Sequence, residues 1–243
     1  MEYSTSEIAR LADVHTNTVR FYEEIGFLQP VKRKSNGYRI FTNVHRLQLG
    51  LIRIAYRSEL VGGGLRRLAA EVIRDAAAED YINAHKAVQA YACKVAHMKT
   101  KALDAVQYAR EHHLSQEELY RRYGKKEILE QLGITADALR HWERSGLIVL
   151  PRDTGGRLYF TDTERKRLTM ISALRDANYS TMAILKMLAA LEVGEVGMLK
   201  ALEADGEDLF YATDRLLSSL CIAGQAAVEM AEQLIKIEKQ TLQ

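Results

Sequence analysis

Two short stretches of this chain hold side chains suited to gripping a polyanion. In the first, His15 is followed by Thr16, Asn17, Thr18, Arg20 and Tyr22. In the second, Thr135 is followed by Asp137, Arg140, His141 and Trp142. Arginine offers a planar donor fork that fits a guanine edge or a phosphate, and asparagine fits an adenine edge. Tyr22 can offer its hydroxyl to a phosphate, and Trp142 its indole N–H. After the first stretch come Lys32, Arg33, Lys34, Tyr38 and Arg39, a set suited to phosphates or a minor groove. After the second stand only Arg152 and Arg157, with Leu158 where the first copy has Arg39. No HExxH and no histidine pair four apart occurs, and Gly62-Gly63-Gly64 is not followed by the Gly-Lys-Ser/Thr of a phosphate loop. No nucleophile–base–orienter set can be placed. The expectation is a binding protein, not an enzyme, with no metal and no cofactor.

Those two stretches are copies of one another. Arg, an aromatic two places on, Glu, then Gly three further on recur 120 residues apart, as Arg20, Tyr22, Glu23, Gly26 and Arg140, Trp142, Glu143, Gly146. The similarity continues into Gly37-Tyr38-Arg39-Ile40-Phe41-Thr42 and Gly156-Arg157-Leu158-Tyr159-Phe160-Thr161, and the only two prolines, Pro30 and Pro151, read as equivalent. Two copies at a fixed spacing describe a duplicated domain.

Composition agrees with a polyanion partner. The 243 residues carry a net charge of +2, unevenly spread. Residues 1–58 hold nine Lys/Arg against five Asp/Glu, residues 121–170 eleven against seven, and residues 192–243 four against ten. Both copies are therefore +4 and the tail −6, so attraction to a polyanion belongs to the copies alone. No apolar run approaches the ~20 residues that span a bilayer, so no membrane partner is expected. Met1–Thr5 lacks the basic and apolar regions of a signal peptide, and two cysteines 128 apart make no disulfide framework. A reducing cytoplasm is the expected compartment.

Ser4-Thr5-Ser6-Glu7 fits a capping box that opens a helix running to about Ala12 and burying Ile8 and Leu11. A tight turn at Asp13-Val14 leads to a second helix over about Thr16–Ile25, with Val19 and Tyr22 inward and Gly26 as its left-handed cap. Helix, short turn, helix is the helix-turn-helix pattern. Asn36-Gly37 between alternating residues signals a hairpin with positive φ at both, which makes a wing. Helices follow over about 44–57 and 65–78. A long helix from about Asp80 to His112 carries a seam at Tyr81, Val88, Ala92, Val95, Ala102 and Val106. The last, from about Glu207 to Lys239, carries Leu209, Leu216, Leu220, Ala223, Ala227, Met230, Leu234 and Ile237. The expected division is 1–78, a first winged-helix domain; 79–118, a coiled-coil helix and linker; 119–192, a second winged-helix domain; and 193–243, an acidic connector and final coiled-coil helix. The fold class is mostly α, with two winged helix-turn-helix domains each followed by a long coiled-coil helix.

The ordered set of helix-turn-helix, Arg-aromatic-aromatic-Glu, Gly-apolar-apolar, a proline, a Gly-Tyr-Arg wing and a long helix resembles the MerR family of bacterial transcription regulators. The resemblance covers nearly the whole chain. It implies winged-helix domains, dimerisation through an antiparallel coiled coil, distortion of promoter double-stranded DNA, and RNA polymerase as a further candidate partner. By that resemblance the DNA contacts are Thr16, Asn17, Thr18, Arg20, Tyr22, Lys32, Arg33, Lys34, Tyr38, Arg39, Thr135, Arg140, His141, Trp142, Arg152 and Arg157. It leaves any small-molecule inducer unidentified.

Each residue has a plainer reading. An arginine on a helix is by default a solvated charge, though inside this repeated motif Arg20 and Arg140 read as DNA contacts. Tyr22 and Trp142 read alternatively as half-buried core aromatics, and Asp137 as helix-start electrostatics. Cys93 and Cys221, one per long helix, read as packing residues. Two rival functions remain: a small-molecule-binding relative with decayed DNA binding, and an architectural, excisionase-like DNA bender. For assembly, a single-chain pseudo-dimer is favoured over a homodimer of tandem chains.

Overall fold

The computed structural model describes residues 1–57, 62–111, 121–193 and 209–242. The expected linker after His112 and acidic connector before Glu207 lie outside them. The described residues are mostly helical, with a small three-stranded antiparallel sheet among them. Residues 1–59, 64–96 and 221–243 form one unit, and residues 60–63 and 97–220 a second.

In the first unit, β1 (Glu2–Tyr3) leads into α1 (Thr5–Ala12) and α2 (Thr16–Glu24), the two helices of the helix-turn-helix. The capping box forms as expected. Ser4 accepts from the Glu7 amide, and the Glu7 carboxylate accepts from the Ser4 amide at 2.8 Å. Those Ser4 donors hold the Glu7 carboxyl below its usual pKa. Helix α1 buries Ile8, Ala9 and Ala12, whereas Leu11, expected inside, is 53% exposed. The small Ala9 and Ala12 face the neighbouring helices, and their stripe turns Leu11 outward. The wing is β2 (Lys32–Arg33) against β3 (Arg39–Thr42), with β1 on the other side of β3.

The wing turn differs from the expected two-residue type. Lys34 donates to the Tyr38 carbonyl, Gly37 donates to the Lys34 carbonyl, and Gly37 has positive φ while Asn36 does not. This is a three-residue loop with glycine in the left-handed position. Asn36 instead accepts from the Tyr38 amide through its side chain. Helices α3 (Asn43–Ala55) and α4 (Leu65–Ala77) complete the domain.

In the second unit, α6 (Lys125–Leu132) and α7 (Ala136–Arg144) stand 120 residues after α1 and α2. The bridge Tyr123↔Phe160 repeats the Tyr3↔Phe41 pair, and Arg152↔Leu158 repeats Arg33↔Arg39. From the wing onward the spacing is therefore 119, one residue shorter. The two prolines, read as equivalent from the sequence, are not: Pro151 stands where Lys32 does, and Asp153 where Lys34 does. Helices α8 (Asp162–Asp176) and α9 (Thr181–Val193) follow.

Helix α5 (Tyr81–Glu111) contributes to both units, as does α10 (Leu209–Thr241). Helix α5 buries Ala84, Val88, Tyr91, Val95, Met98, Ala102, Ala105 and Ala109, in alternating steps of four and three. Ala92, expected in this seam, is exposed and Val106 half-buried; Tyr91 and Ala105 hold those places. All eight residues of the expected α10 stripe are buried. This 3.5-residue period is that of coiled-coil packing. In the first unit the two helices run antiparallel: the Tyr81 hydroxyl donates to Thr241 Oγ1 at 2.8 Å, and His85 faces Glu238 at 3.8 Å.

Candidate nucleic-acid interface

Helix α2 is built to show one face to solvent. His15 caps its start, accepting the Asn17 amide on Nδ1 at 3.2 Å. Val19 is fully buried, and this turns Asn17 and Arg20 outward. Arg20 lies 3.5 Å from Asn17 Oδ1, so the two project together. Thr16 and Thr18 are half-buried at the edges of that face. Tyr22 is half-buried and stacks on Phe27 at 6.0 Å between centroids.

On the wing, Lys32, Arg33, Lys34 and Tyr38 are all exposed, Tyr38 at 73%. Arg39 is not free in the same way. Its Nε sits 2.5 Å from Glu23 Oε2, with both side chains largely covered. The glutamate of the repeated motif thus anchors the wing to helix α2, a role the sequence reading did not assign.

The second copy keeps the frame and changes the chemistry. Thr135 caps α7 by accepting the Ala138 amide, which commits its oxygen while leaving the hydroxyl hydrogen available. Arg140 and His141 are exposed, but Arg140 is paired with Asp137 one turn earlier. Asp137 therefore answers a helix start and an arginine, in keeping with its plainer reading. Glu143, the counterpart of Glu23, holds Arg152 at 3.0 Å. Leu158 occupies the Arg39 position, so the anchor has moved to the other strand of the wing. Arg157 is exposed, with Asp153 accepting its backbone amide.

Trp142 is corrected outright as a surface contact. It is 5% exposed, buried like Leu139 and Leu147, where its counterpart Tyr22 is half-buried, which agrees with the alternative reading as a core aromatic.

The scaffold beneath each domain is crossed. In the first unit, α3 rests on α10: Asn43 donates to Gln240 at 2.6 Å, Gln233 donates to the Leu47 carbonyl, and Arg57 makes a two-pronged pair with Glu229 at 2.6 and 2.7 Å. A Cβ on Gly50 would lie 2.9 Å from Gln233 Nε2, so the glycine permits that approach. In the second unit, α8 rests on α5: Arg165 donates to Tyr108 at 2.6 Å and Lys101 pairs with Asp176 at 2.5 Å. The first domain is thus tied to the helix after the second, and the second domain to the helix after the first. Also in the second unit, a cavity of about 210 Å³ opens between the α8–α9 turn, at Tyr179, and Arg215 and Ser219 of α10. Among the described residues no cluster of His, Cys, Asp or Glu is arranged to hold a metal ion, and no helix is long and apolar enough to cross a membrane.

Comparison with known proteins gives the same two segments. The family model described as "MerR HTH family regulatory protein" matches residues 123–191, and "MerR family regulatory protein" matches residues 4–41. The "HTH-type transcriptional regulator CueR" of Escherichia coli O157:H7 is 40% identical over 50 residues, which are 21% of this chain and 37% of that protein. Its counterpart from Salmonella typhi is also 40% identical over 50 residues, 21% of this chain and 36% of that protein. The chain thus spans little more than a third of the length of these curated relatives. No solved structure matches it significantly.

Proposed function

We propose that this chain, which belongs to the MerR family and carries two MerR-type domains, is a transcription regulator that distorts promoter double-stranded DNA through two unequal winged helices. One chain supplies both halves of the two-fold unit that relatives would make from two. The single observation that carries this reading is the crossed scaffold: each domain is seated on the helix that follows the other copy. In an antiparallel coiled coil, that is how a domain of one protomer meets the helix of its partner.

On this reading Arg20, Asn17, Thr16 and Thr18 face the major groove, with Lys32, Arg33, Lys34 and Tyr38 on the flanking phosphates or minor groove. Tyr22 reaches a phosphate through its hydroxyl. The second domain contributes Arg140, His141, Thr135 and Arg157 with weaker grip, while Arg39 and Arg152 act mainly by fixing each wing. RNA polymerase is the further partner on DNA that has been bent or untwisted. Gel shift and footprinting on the chain's own upstream DNA test this. Affinity that falls as salt rises supports phosphate contacts; no binding at low salt rejects the reading.

A second reading, a small-molecule-binding relative with decayed DNA binding, draws on the cavity at Tyr179 and Arg215 and on the cation-poor second wing. It predicts ligand-dependent thermal stabilisation with no DNA binding at any salt.

A further inference from the structure

The two crossed seats are equivalent in position and opposite in charge. Arg57 lies fifteen residues after Thr42, the N-cap of α3, and Asp176 fifteen residues after Thr161, the N-cap of α8. Their partners match as well by their place on the seam: Lys101 stands between the buried Met98 and Ala102 of α5, and Glu229 between the buried Ala226 and Met230 of α10, each three residues after the first and one before the second. In the first seat the domain brings the cation and the long helix the carboxylate. In the second seat the domain brings the carboxylate and the long helix the cation.

The exchange extends to one more contact. In the first unit Arg53 donates to the carbonyl of Ala12, at the end of α1, at 2.8 Å. Its counterpart in the second copy is Ser172, too short to reach the equivalent carbonyl of Leu132. Lys101 takes that place from α5: its Nζ lies 2.7 Å from Ser172 Oγ and 3.5 Å from the Leu132 carbonyl oxygen. A helix C-terminus favours a cation, so each seat carries one, supplied from opposite sides.

Resting on the pseudo-dimer reading, we propose that these charges are a pairing code that directs each domain onto the other copy's helix and rejects like-with-like assembly. Consider two chains paired copy to copy, first with first and second with second. The first domain would then meet α5, and Lys101 would enter a seat already holding Arg53 and Arg57. The second domain would meet α10, and Glu229 would face Asp176 beside the carbonyl end of α6. At the second seat, where Lys101 and Asp176 are buried, water could not screen the clash of Glu229 with Asp176; at the first, where Arg57 and Glu229 are partly exposed, the clash is weaker. Duplicated sequences otherwise risk such homotypic pairing, and specificity against it needs a repulsive element.

The test uses the full chain and exchanges the two helix charges, Lys101→Glu with Glu229→Lys. Both seats are then mismatched within one chain and matched between copies of the same kind. Light scattering at micromolar concentration should move from 27.5 kDa to twice that mass. Moving the domain residues as well (Arg53→Ser, Arg57→Asp, Ser172→Arg, Asp176→Arg) should restore the single-chain mass and the original melting temperature. An unchanged mass and melting temperature in the two-residue exchange overturns the code. So does an exchange that unfolds the chain and is not rescued by the six-residue variant. If the unaltered protein already has twice the mass, the pseudo-dimer reading fails instead. The code is then judged by whether the exchange lowers the melting temperature and the six-residue variant returns it.

Discussion

In the first domain the motif glutamate, Glu23, holds Arg39 on the far strand of the wing; in the second, Glu143 holds Arg152 on the near strand. The backbone of the two wings is nearly the same, and the tie between wing and helix survives while the arginine that makes it changes place. What is left over differs. The first wing keeps Lys32, Arg33 and Lys34 exposed to solvent. The second has Pro151, its anchored arginine and Asp153 at those positions, and adds only Arg157. An anchoring ion pair can therefore be kept by a duplicated domain while its phosphate-facing charge is lost, and a count of cations in the sequence does not separate the two roles.

The contrast is broken most directly at the buried positions. Lys101→Met leaves Asp176 without its counter-charge in the interior and should cost about 3–5 kcal/mol. Arg57→Met, at the equivalent but water-exposed seat, should cost far less, because such pairs are screened. Trp142→Ala should cost about 3–5 kcal/mol as a core truncation, whereas Tyr22→Phe should leave stability nearly unchanged and weaken DNA binding. Urea unfolding of the four variants checks these expectations, and equal costs at the two seats would erase the distinction drawn between them.

The wings should separate in DNA binding. Lys32, Arg33 and Lys34 changed together to Ala should flatten the slope of log affinity against log salt by about 2–3, at roughly 0.9 per phosphate contact. Arg152 and Arg157 changed together should flatten it by about 1, since Arg152 is occupied by Glu143. Operators selected from random DNA should have dissimilar halves, because His15-Thr16-Asn17-Thr18 and Thr135-Ala136-Asp137-Ala138 offer different donors.

Acid should distinguish the domains too. His45 takes the third helical position of α3, where its Nδ1 accepts the Thr42 amide at 2.9 Å; Glu164 does this work in the second domain. Burial pushes the His45 pKa down, with Gln29 and Glu23 opposing. The folded domain therefore binds the proton less readily than the unfolded chain. Stability contributed by neutral His45 is present above the unfolded value of about 6.5 and is lost as pH falls below it. His45→Gln keeps the capping acceptor without the titration, so its melting temperature should fall less than that of the unaltered protein between pH 7 and pH 5. The smallest effect concerns the ends of α1 and α6. Asp13 sits in the left-handed region at φ 53° where the second copy has Gly133. Asp13→Gly should stabilise by about 0.5–1 kcal/mol.

Much of this architecture was readable because it is periodic. The α10 stripe repeats over about eight turns, and a heptad pattern of that length leaves little choice of face. The helix-turn-helix came through the same way, with its capping box and Gly26. Leu11 was misplaced because three- and four-residue steps from Ile8 are indistinguishable over two turns, and size favoured leucine over Ala12. The duplication held the remedy: its counterpart is Gln131, a residue for solvent. The switch from a spacing of 120 to 119 marked the deletion that separates Pro30 from Pro151. Strand β1 spans two residues, too few for any alternation to register. Lys101 and Asp176 were beyond reach, since a charge in a helix reads as solvated until another element is seen covering it.

Central to this account is that one chain fills the place of two on DNA. The measurement is the mass of the complex on a single operator duplex, by light scattering coupled to size exclusion at low salt. The prediction is the mass of the duplex plus one chain, 27.5 kDa, with both halves of the site protected from cleavage. A complex holding two chains per duplex, or one chain protecting only one half, would contradict it.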